Sequence, residues 1–264
     1  MLPIAHRYQN HLLLGLPEGA RSRVSRYLEW VSLSAGQILS EACIAPRYAY
    51  FPADCVVSLQ CATEHGETAE VAAVGNEGML DVSLFLGGNV PEHRALVRSA
   101  GHAYRCSPHL LKGEFDSSTT LQQVLLRYSQ SLLTQMAQTA VCNRYHSVSQ
   151  QLCRWLLLDL DRSQLSDLTM TQDSIAQMLG VRREGITEAA GKLRSQGIIE
   201  YRRGSITVLD RAALEKLTCD CYAVFARATH RMLPSCREVP REAPRVTRPY
   251  HSMPIGLQAA QATV

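Results

Sequence analysis

Up to about Ser107 the apolar and polar positions change pattern every few residues, as they do in short strands separated by turns. Val56-Val57-Ser58-Leu59-Gln60-Cys61 is rich in β-formers, Glu64-His65-Gly66-Glu67 supplies a turn, Thr68 to Val74 resumes the strand, and Gly75-Asn76-Glu77-Gly78 breaks it again. That is a hairpin pattern. Ala95 to Val97 and His102 to Arg105 are further strand candidates. Residues 1–118 are therefore expected to fold as a compact antiparallel β domain, a barrel or a jelly roll, whose strands follow a short helix near Pro17 to Glu29.

At Thr119 the period becomes helical. Leu121, Val124, Leu125, Tyr128, Leu132, Met136 and Ala140 recur at steps of three and four, and no Gly or Pro interrupts the run before Tyr145. Leu126, Leu133 and Val141 widen the apolar surface beyond one stripe. A helix over 119–145 thus has a face for a small domain and a second face for a partner, either the same helix of a second subunit or more of its own chain. Ser147 to Leu160 is a second helical run, in which Trp155 and the leucines build the core of another domain.

Thr171 to Gly197 then reads as two helices around a turn. Thr171 caps the first, Ile175, Met178 and Leu179 form its buried face, and Ala176 is small where the second helix must cross. Gly180 allows the positive φ of a tight turn, and Val181 and Ile186 fill the angle between the helices. Ile198 to Tyr201 and Ile206 to Leu209 are strand-like on either side of Arg202-Arg203-Gly204-Ser205, and Asp210 caps a final helix through Leu217 or beyond. Two helices and a small hairpin make a winged helix-turn-helix over 146–222. From Thr229 to Val264 the chain is crowded with Pro and Arg and has no apolar period, so it is expected to be disordered.

Arg182 and Arg183 stand at the entrance of the second helix, where the helix dipole disfavours cations. In a helix-turn-helix that end enters the major groove, which gives the arginines a purpose. Arg183 can donate twice to guanine and Glu184 can accept from cytosine, with Thr187 and Glu188 one turn further along the same face. Thr171, Gln172, Arg182 and the wing residues Arg202 and Arg203 are placed for phosphates.

Composition narrows the function further. The chain has 264 residues, 46% apolar and 19% charged, with a formal net charge of +3, so any basic surface is local. Nine scattered cysteines, an odd number, suit a reducing cytoplasm. The N-terminus lacks the apolar run of a signal peptide, and no segment reaches the roughly 18 apolar residues of a membrane span. We expect a cytoplasmic protein without a membrane contact. There is no GxSxG, Walker loop, HExxH or dinucleotide fingerprint, so no catalytic residue, enzyme activity or cofactor is expected. His102, Cys106 and His109, and separately Cys219 and Cys221, have spacings a metal could use, but they are read as buried or incidental side chains, with no metal site expected. A non-enzymatic rival remains, a winged-helix adaptor for other proteins that does not read DNA.

The segment MTQDSIAQMLGVRREGITEAAGKLRSQGIIEYRRGSITVLDRAALE resembles the DNA-binding domain of the Crp/Fnr superfamily of bacterial transcription regulators, and the long helix and N-terminal sheet domain precede it in that family's order. The resemblance spans about residues 20 to 220. It implies an α+β fold with a cyclic-nucleotide-binding-like sensor and a homodimer paired along helices 119–145. It further implies double-stranded DNA carrying a pseudo-palindromic site, RNA polymerase as a partner, and an effector at the sensor. Arg183 and Glu184 match the reading pair of the cyclic-AMP-receptor type, whereas Glu188 stands where that type has an arginine and Gly185 where it has Thr or Ser. The nucleotide cassette also departs. Asn76 occupies the place of the ribose-binding Glu, with Glu77 one step late, and His93 and Arg94 stand for the Arg-Ser that holds the phosphate. Because a strand alternates faces, that displacement turns Arg94 away unless a bulge corrects it. An Arg-Ser-Ala does occur at Arg98, but too late in the chain. Asn76, Glu77, His93 and Arg94 are thus the candidate ligand residues, and cyclic AMP is not the expected effector.

Overall fold

The computed structural model of the protein describes residues 9–88, 90–162, 167–202 and 204–232. Two short helices, α1 (His11–Leu14) and α2 (Glu18–Ser25), lead into seven strands: β1 (Glu29–Leu33), β2 (Ile38–Ser40), β3 (Ala49–Pro52), β4 (Val56–Ala62), β5 (Thr68–Val74), β6 (Arg94–Ser99) and β7 (Gly101–Cys106). They form two antiparallel sheets, in the orders β1-β7-β3 and β2-β6-β4-β5. Leu33, Tyr50 and Ala103 of the first sheet share one core with Val57, Leu59, Val74, Ala95 and Val97 of the second. Alternating inward residues from both sheets make this the expected double-sheet roll.

The β4–β5 hairpin has the expected limits and turns at Gly66, whose φ of 87° needs glycine. The first three strands were not foreseen. α3 (Pro108–Ser117) also precedes the expected start of helix, with Pro at its first turn and Leu111 and Phe115 buried. Ser118 then caps α4 (Thr119–Tyr145), its Oγ accepting the Leu121 N–H at 3.4 Å. Leu121, Leu125, Tyr128 and Leu132 bury one face of α4 against the roll.

α5 (Val148–Arg162) opens the C-terminal domain. It is followed by β8 (Asp167–Thr169), α6 (Gln172–Leu179), α7 (Arg183–Ser195), β9 (Ile199–Arg202), β10 (Ser205–Val208), α8 (Arg211–Leu217) and α9 (Asp220–Met232). Leu152, Trp155, Leu156, Ile175, Leu179, Ile186, Leu193, Ile206 and Leu214 form its core. Asp210 caps α8 as expected, its Oδ1 accepting the Ala213 N–H at 2.9 Å. β8 is an addition, pairing with β10 to make the order β8-β10-β9. α9 is another: it lies against α4 and carries regular helix to Met232, into the segment expected to be disordered from Thr229. The rest of that tail, residues 233–264, lies outside the described residues. Among the described residues no helix is long and apolar enough to cross a membrane.

Candidate nucleic-acid interface

The crossed pair α6 and α7 is fixed by four local devices. Thr171 Oγ1 accepts the Ser174 N–H at 3.1 Å and starts α6. Gly180 ends it in the left-handed region, at φ 64° and ψ 35°. The Val181 N–H returns to the Ala176 carbonyl at 3.0 Å, closing the turn. Ile186, Ala189, Ala190 and Leu193 then bury the inner face of α7 against Ile175, Ala176, Met178 and Leu179. A Cβ on Gly185 would stand 3.6 Å from the Val148 methyls, an ordinary contact, so glycine there is not required by packing.

This leaves the outer face and the entrance of α7 open. Arg182, Arg183, Glu184, Thr187 and Glu188 are all exposed. Arg182 is the N-cap position and offers no side-chain cap, so the first N–H groups of α7 are not occupied by that side chain. Arg183 Nε lies 3.3 Å from Asp173 Oδ1 across the two helices. This pair is solvent-exposed, worth about 0–1 kcal/mol, and readily exchanged for another acceptor. Gln172 and Thr187 are brought together, the Thr187 hydroxyl donating to Gln172 Oε1 at 2.8 Å. Glu188 is drawn the other way along the helix, accepting from Lys192 Nζ at 2.6 Å, and the ammonium holds its carboxyl below the ordinary value. Neither Asp173 nor Lys192 was singled out in the sequence. The i,i+4 spacing of Glu188 and Lys192 was a usable signal for the second.

The wing lies beside this face. β9 and β10 pair in register from Ile199↔Val208 to Arg202↔Ser205, and Gly204, at φ 82°, sits in the tip. Arg202 is exposed and paired to Glu200 at 2.6 Å. Arg203 lies outside the described residues.

Of the four candidate ligand residues of the sensor, Glu77 and Arg94 are ion-paired with other side chains, Asn76 is held through its backbone, and among the described residues the buried His93 Nε2 has no hydrogen-bond partner. Glu77 Oε1 accepts from Arg162 Nε of α5 at 2.7 Å, and its other oxygen accepts the Gly75 N–H at 3.1 Å. The Asn76 carbonyl accepts the His11 N–H at 2.6 Å. Arg94 pairs with Glu41 at 2.8 Å, and burial pulls the His93 imidazole below its ordinary pKa, against the opposing charge of Glu92. The later arginine, Arg98, is buried and clasped by Glu70 at 3.0 Å and by Asp159 of α5. The Gly75–Gly78 turn packs closely against both α5 and α4. A Cβ on Gly75 would come within 2.7 Å of the Arg162 Cβ, and one on Gly78 would run into the Tyr128 ring of α4. Tyr128 is anchored there by donating its hydroxyl to the Met79 carbonyl at 2.9 Å. Gly78→Ala should therefore lower stability by about 1–3 kcal/mol, the range of core overpacking, as read by urea unfolding.

The metal-compatible spacing in the first domain is not realised as a cluster. His102 Nδ1 is 3.1 Å from Asp54 Oδ2 and its ring is stacked on Trp30, while Cys106 is buried and His109 exposed.

Residues 150–217 match the family model of the Crp-like helix-turn-helix domain. No curated protein matches the chain. Among solved structures, FixK2 from Bradyrhizobium japonicum aligns with a TM-score of 0.60 at 15% identity, covering 73% of this chain and 98% of that one. A CRP-family transcriptional regulator from Thermus thermophilus gives 0.59 at 14% identity, covering 70% and 95%. The c-di-GMP-responsive regulator CLP from Xanthomonas campestris gives 0.56 at 16%, covering 74% and 100%. At these identities the likeness is one of fold, and it extends over nearly the whole of each relative. Residues 150–217 are a Crp-like helix-turn-helix domain, carried on the fold of the Crp/Fnr superfamily.

Proposed function

We propose that the protein is a sequence-specific DNA-binding transcription regulator working as a homodimer. The observation that carries this reading is the exposed entrance of α7, where Arg182, Arg183 and Glu184 are left in solvent instead of being consumed by a cap or the core. Arg183 and Glu184 are its base-reading pair, Thr187 and Glu188 lie along the groove, and Thr171, Gln172, Arg182, Arg202 and Arg203 meet phosphates. The Lys192 partner of Glu188 changes the expected chemistry one turn in: acid and ammonium act there as a pair, presenting a donor as well as an acceptor. Binding to a duplex, followed by fluorescence anisotropy across a salt series, tests the phosphate role. Arg202→Ala removes one phosphate contact from each protomer, so it should lower the salt slope of the dimer by about 2 without changing sequence preference. A chain that retains no duplex at low salt would instead be the protein-binding adaptor.

The dimer reading rests on the outer side of α4. Leu126, Leu133 and Val141 are 43%, 51% and 43% exposed at steps of seven and eight residues, a seam suited to a second copy of the helix. α9 covers another part of α4, so the wide apolar surface read from the sequence divides between an internal and an external partner. Leu133→Asp should convert the dimer to monomer in size-exclusion chromatography with light scattering, and should weaken operator binding in parallel. An unchanged mass would reject this interface.

The signal that controls the protein enters this reading as a displacement of the sensor turn. Glu77–Arg162 and Gly78–Tyr128 tie that turn to both α5 and α4, so a ligand that shifts it alters how the two long helices and the recognition helices stand. Cyclic AMP is not the ligand in this account, because Glu77 and Arg98 are already paired with the DNA-binding domain. RNA polymerase is the partner that a regulator of this build addresses on DNA.

A further inference from the structure

Four side chains that DNA reading does not use meet where α4 ends and α9 begins. Cys142 is in the last turn of α4, His146 is the residue that stops that helix, Cys219 immediately precedes α9 and Cys221 lies in its first turn. Their sulfur and imidazole nitrogen atoms all lie within 4.8 Å of one another. Cys142 Sγ and Cys219 Sγ are 3.6 Å apart, and Cys221 Sγ is 3.5 Å from His146 Nδ1. Around a tetrahedral zinc ion, with bonds of about 2.3 Å to sulfur and about 2.0–2.1 Å to nitrogen, two sulfurs stand about 3.8 Å apart and a sulfur and a nitrogen about 3.6 Å. We propose that Cys142, His146, Cys219 and Cys221 form a Cys3His site for one zinc ion, which joins the α4–α5 junction to α9.

Three independent features point to an ion. Cys142, Cys219 and Cys221 form a buried cluster of their own, without a larger apolar side chain in it, so hydrophobic burial gives little reason for grouping them. Next to them Arg154 is only 4% exposed, yet among the described residues it makes no ion pair with a carboxylate. Its Nη1 donates to Thr139 Oγ1 at 3.3 Å, its Nε has no partner, and its charge bears on Cys142 and Cys221. A buried cation without a counterion is costly. Three thiolates around a divalent ion carry one net negative charge, which is the counterion Arg154 lacks. Lastly, His146 presents Nδ1 to the sulfurs, which leaves Nε2 on the side of Asp220 Oδ1, 3.7 Å away, where a small side-chain shift would let the carboxylate orient a ligating imidazole.

Thiolates with one imidazole favour zinc over hard cations. An iron–sulfur cluster spreads its ligands over several iron atoms and needs a wider cage than one in which every donor is within 4.8 Å. The position gives the ion a consequence: His146 and Ser147 are the short link between α4 and α5, so occupancy fixes the joint through which the sensor and the helix-turn-helix are connected.

The test uses full-length protein, reduced and stripped of metal anaerobically, titrated with Co(II) and then with Zn(II). One Co(II) per chain should bind with the visible bands of a tetrahedral site and thiolate-to-metal charge transfer, and Zn(II) should bleach them. Cys219→Ser should lose the charge-transfer intensity. Asp220→Asn, whose side chain is largely in solvent, should keep the tetrahedral spectrum and bind about 10–100-fold more weakly. The proposal is overturned if folded, reduced wild type binds no ion stoichiometrically, if the bound cobalt is octahedral, or if binding is unchanged in both variants. It is also overturned if a Cys142–Cys219 disulfide is the stable form and the reduced thiols take up no metal.

Discussion

Arg98→Ala is expected to cost the full-length protein about 3–5 kcal/mol of stability, the range for breaking a buried ion pair from one side. Its side chain is 2% exposed, and its guanidinium bridges Glu70 of the β4–β5 hairpin and Asp159 of α5 while lying 4.5 Å above the Trp155 ring. Trp155 Nε1 also donates to Glu70, at 3.2 Å. Burial pulls the Arg98 pKa down, and the Glu70 carboxylate works against that pull. Without the arginine, Asp159, 1% exposed and with one oxygen already lacking a hydrogen bond, keeps an uncompensated charge. Urea unfolding reads the loss. Arg98→Met combined with Asp159→Leu and Glu70→Gln should restore most of it, because neutral replacement of all three members removes the stranded charges while the glutamine keeps an acceptor for the Trp155 N–H. A loss below about 1 kcal/mol from Arg98→Ala would show that the network is solvated and does not hold the sensor to α5.

The second large effect is on DNA. Arg183→Ala should remove about 1–3 kcal/mol of discrimination per half-site, so a dimer engaging two half-sites loses roughly 30-fold or more in preference for its operator over scrambled duplex. Fluorescence anisotropy at one fixed salt concentration measures that ratio. The variant should keep its unfolding midpoint, since among the described residues the side chain pairs only with the exposed Asp173. Equal preference before and after the substitution would transfer base reading to other residues of α7.

What could be read from the sequence was what depends on neighbours. The limits of α4, the β4–β5 hairpin, the Thr171 and Asp210 caps and the Gly180 turn are all set within a few residues, by period, capping oxygens and permitted φ. The exposed entrance of α7 belongs with them, since its position follows directly from that turn. β2 and β8, three residues each, are strands only because β6 and β10 pair with them. α9 was obscured by the Pro and Arg that follow it and gains its place from α4. The sensor cassette shows the limit most clearly. The sequence signalled that Asn76, Glu77, His93 and Arg94 departed from a nucleotide site. It could not show that Glu77 and Arg98 had been taken up by Arg162 and Asp159, partners 85 and 61 residues away. The cysteines followed the same rule: Cys219 and Cys221 looked incidental until the fold carried Cys142, 77 residues from Cys219, and His146 beside them.

The measurement that bears most directly on the central claim is selection of bound duplexes from a random DNA library by the purified full-length protein. The account predicts an enriched inverted repeat whose half-site centres lie about 10–10.5 base pairs, or roughly 34 Å, apart, and whose information falls at the Arg183 and Glu184 positions when Arg183→Ala is used instead. Recovery of no enriched sequence, or of one identical motif from wild type and Arg183→Ala, would contradict it.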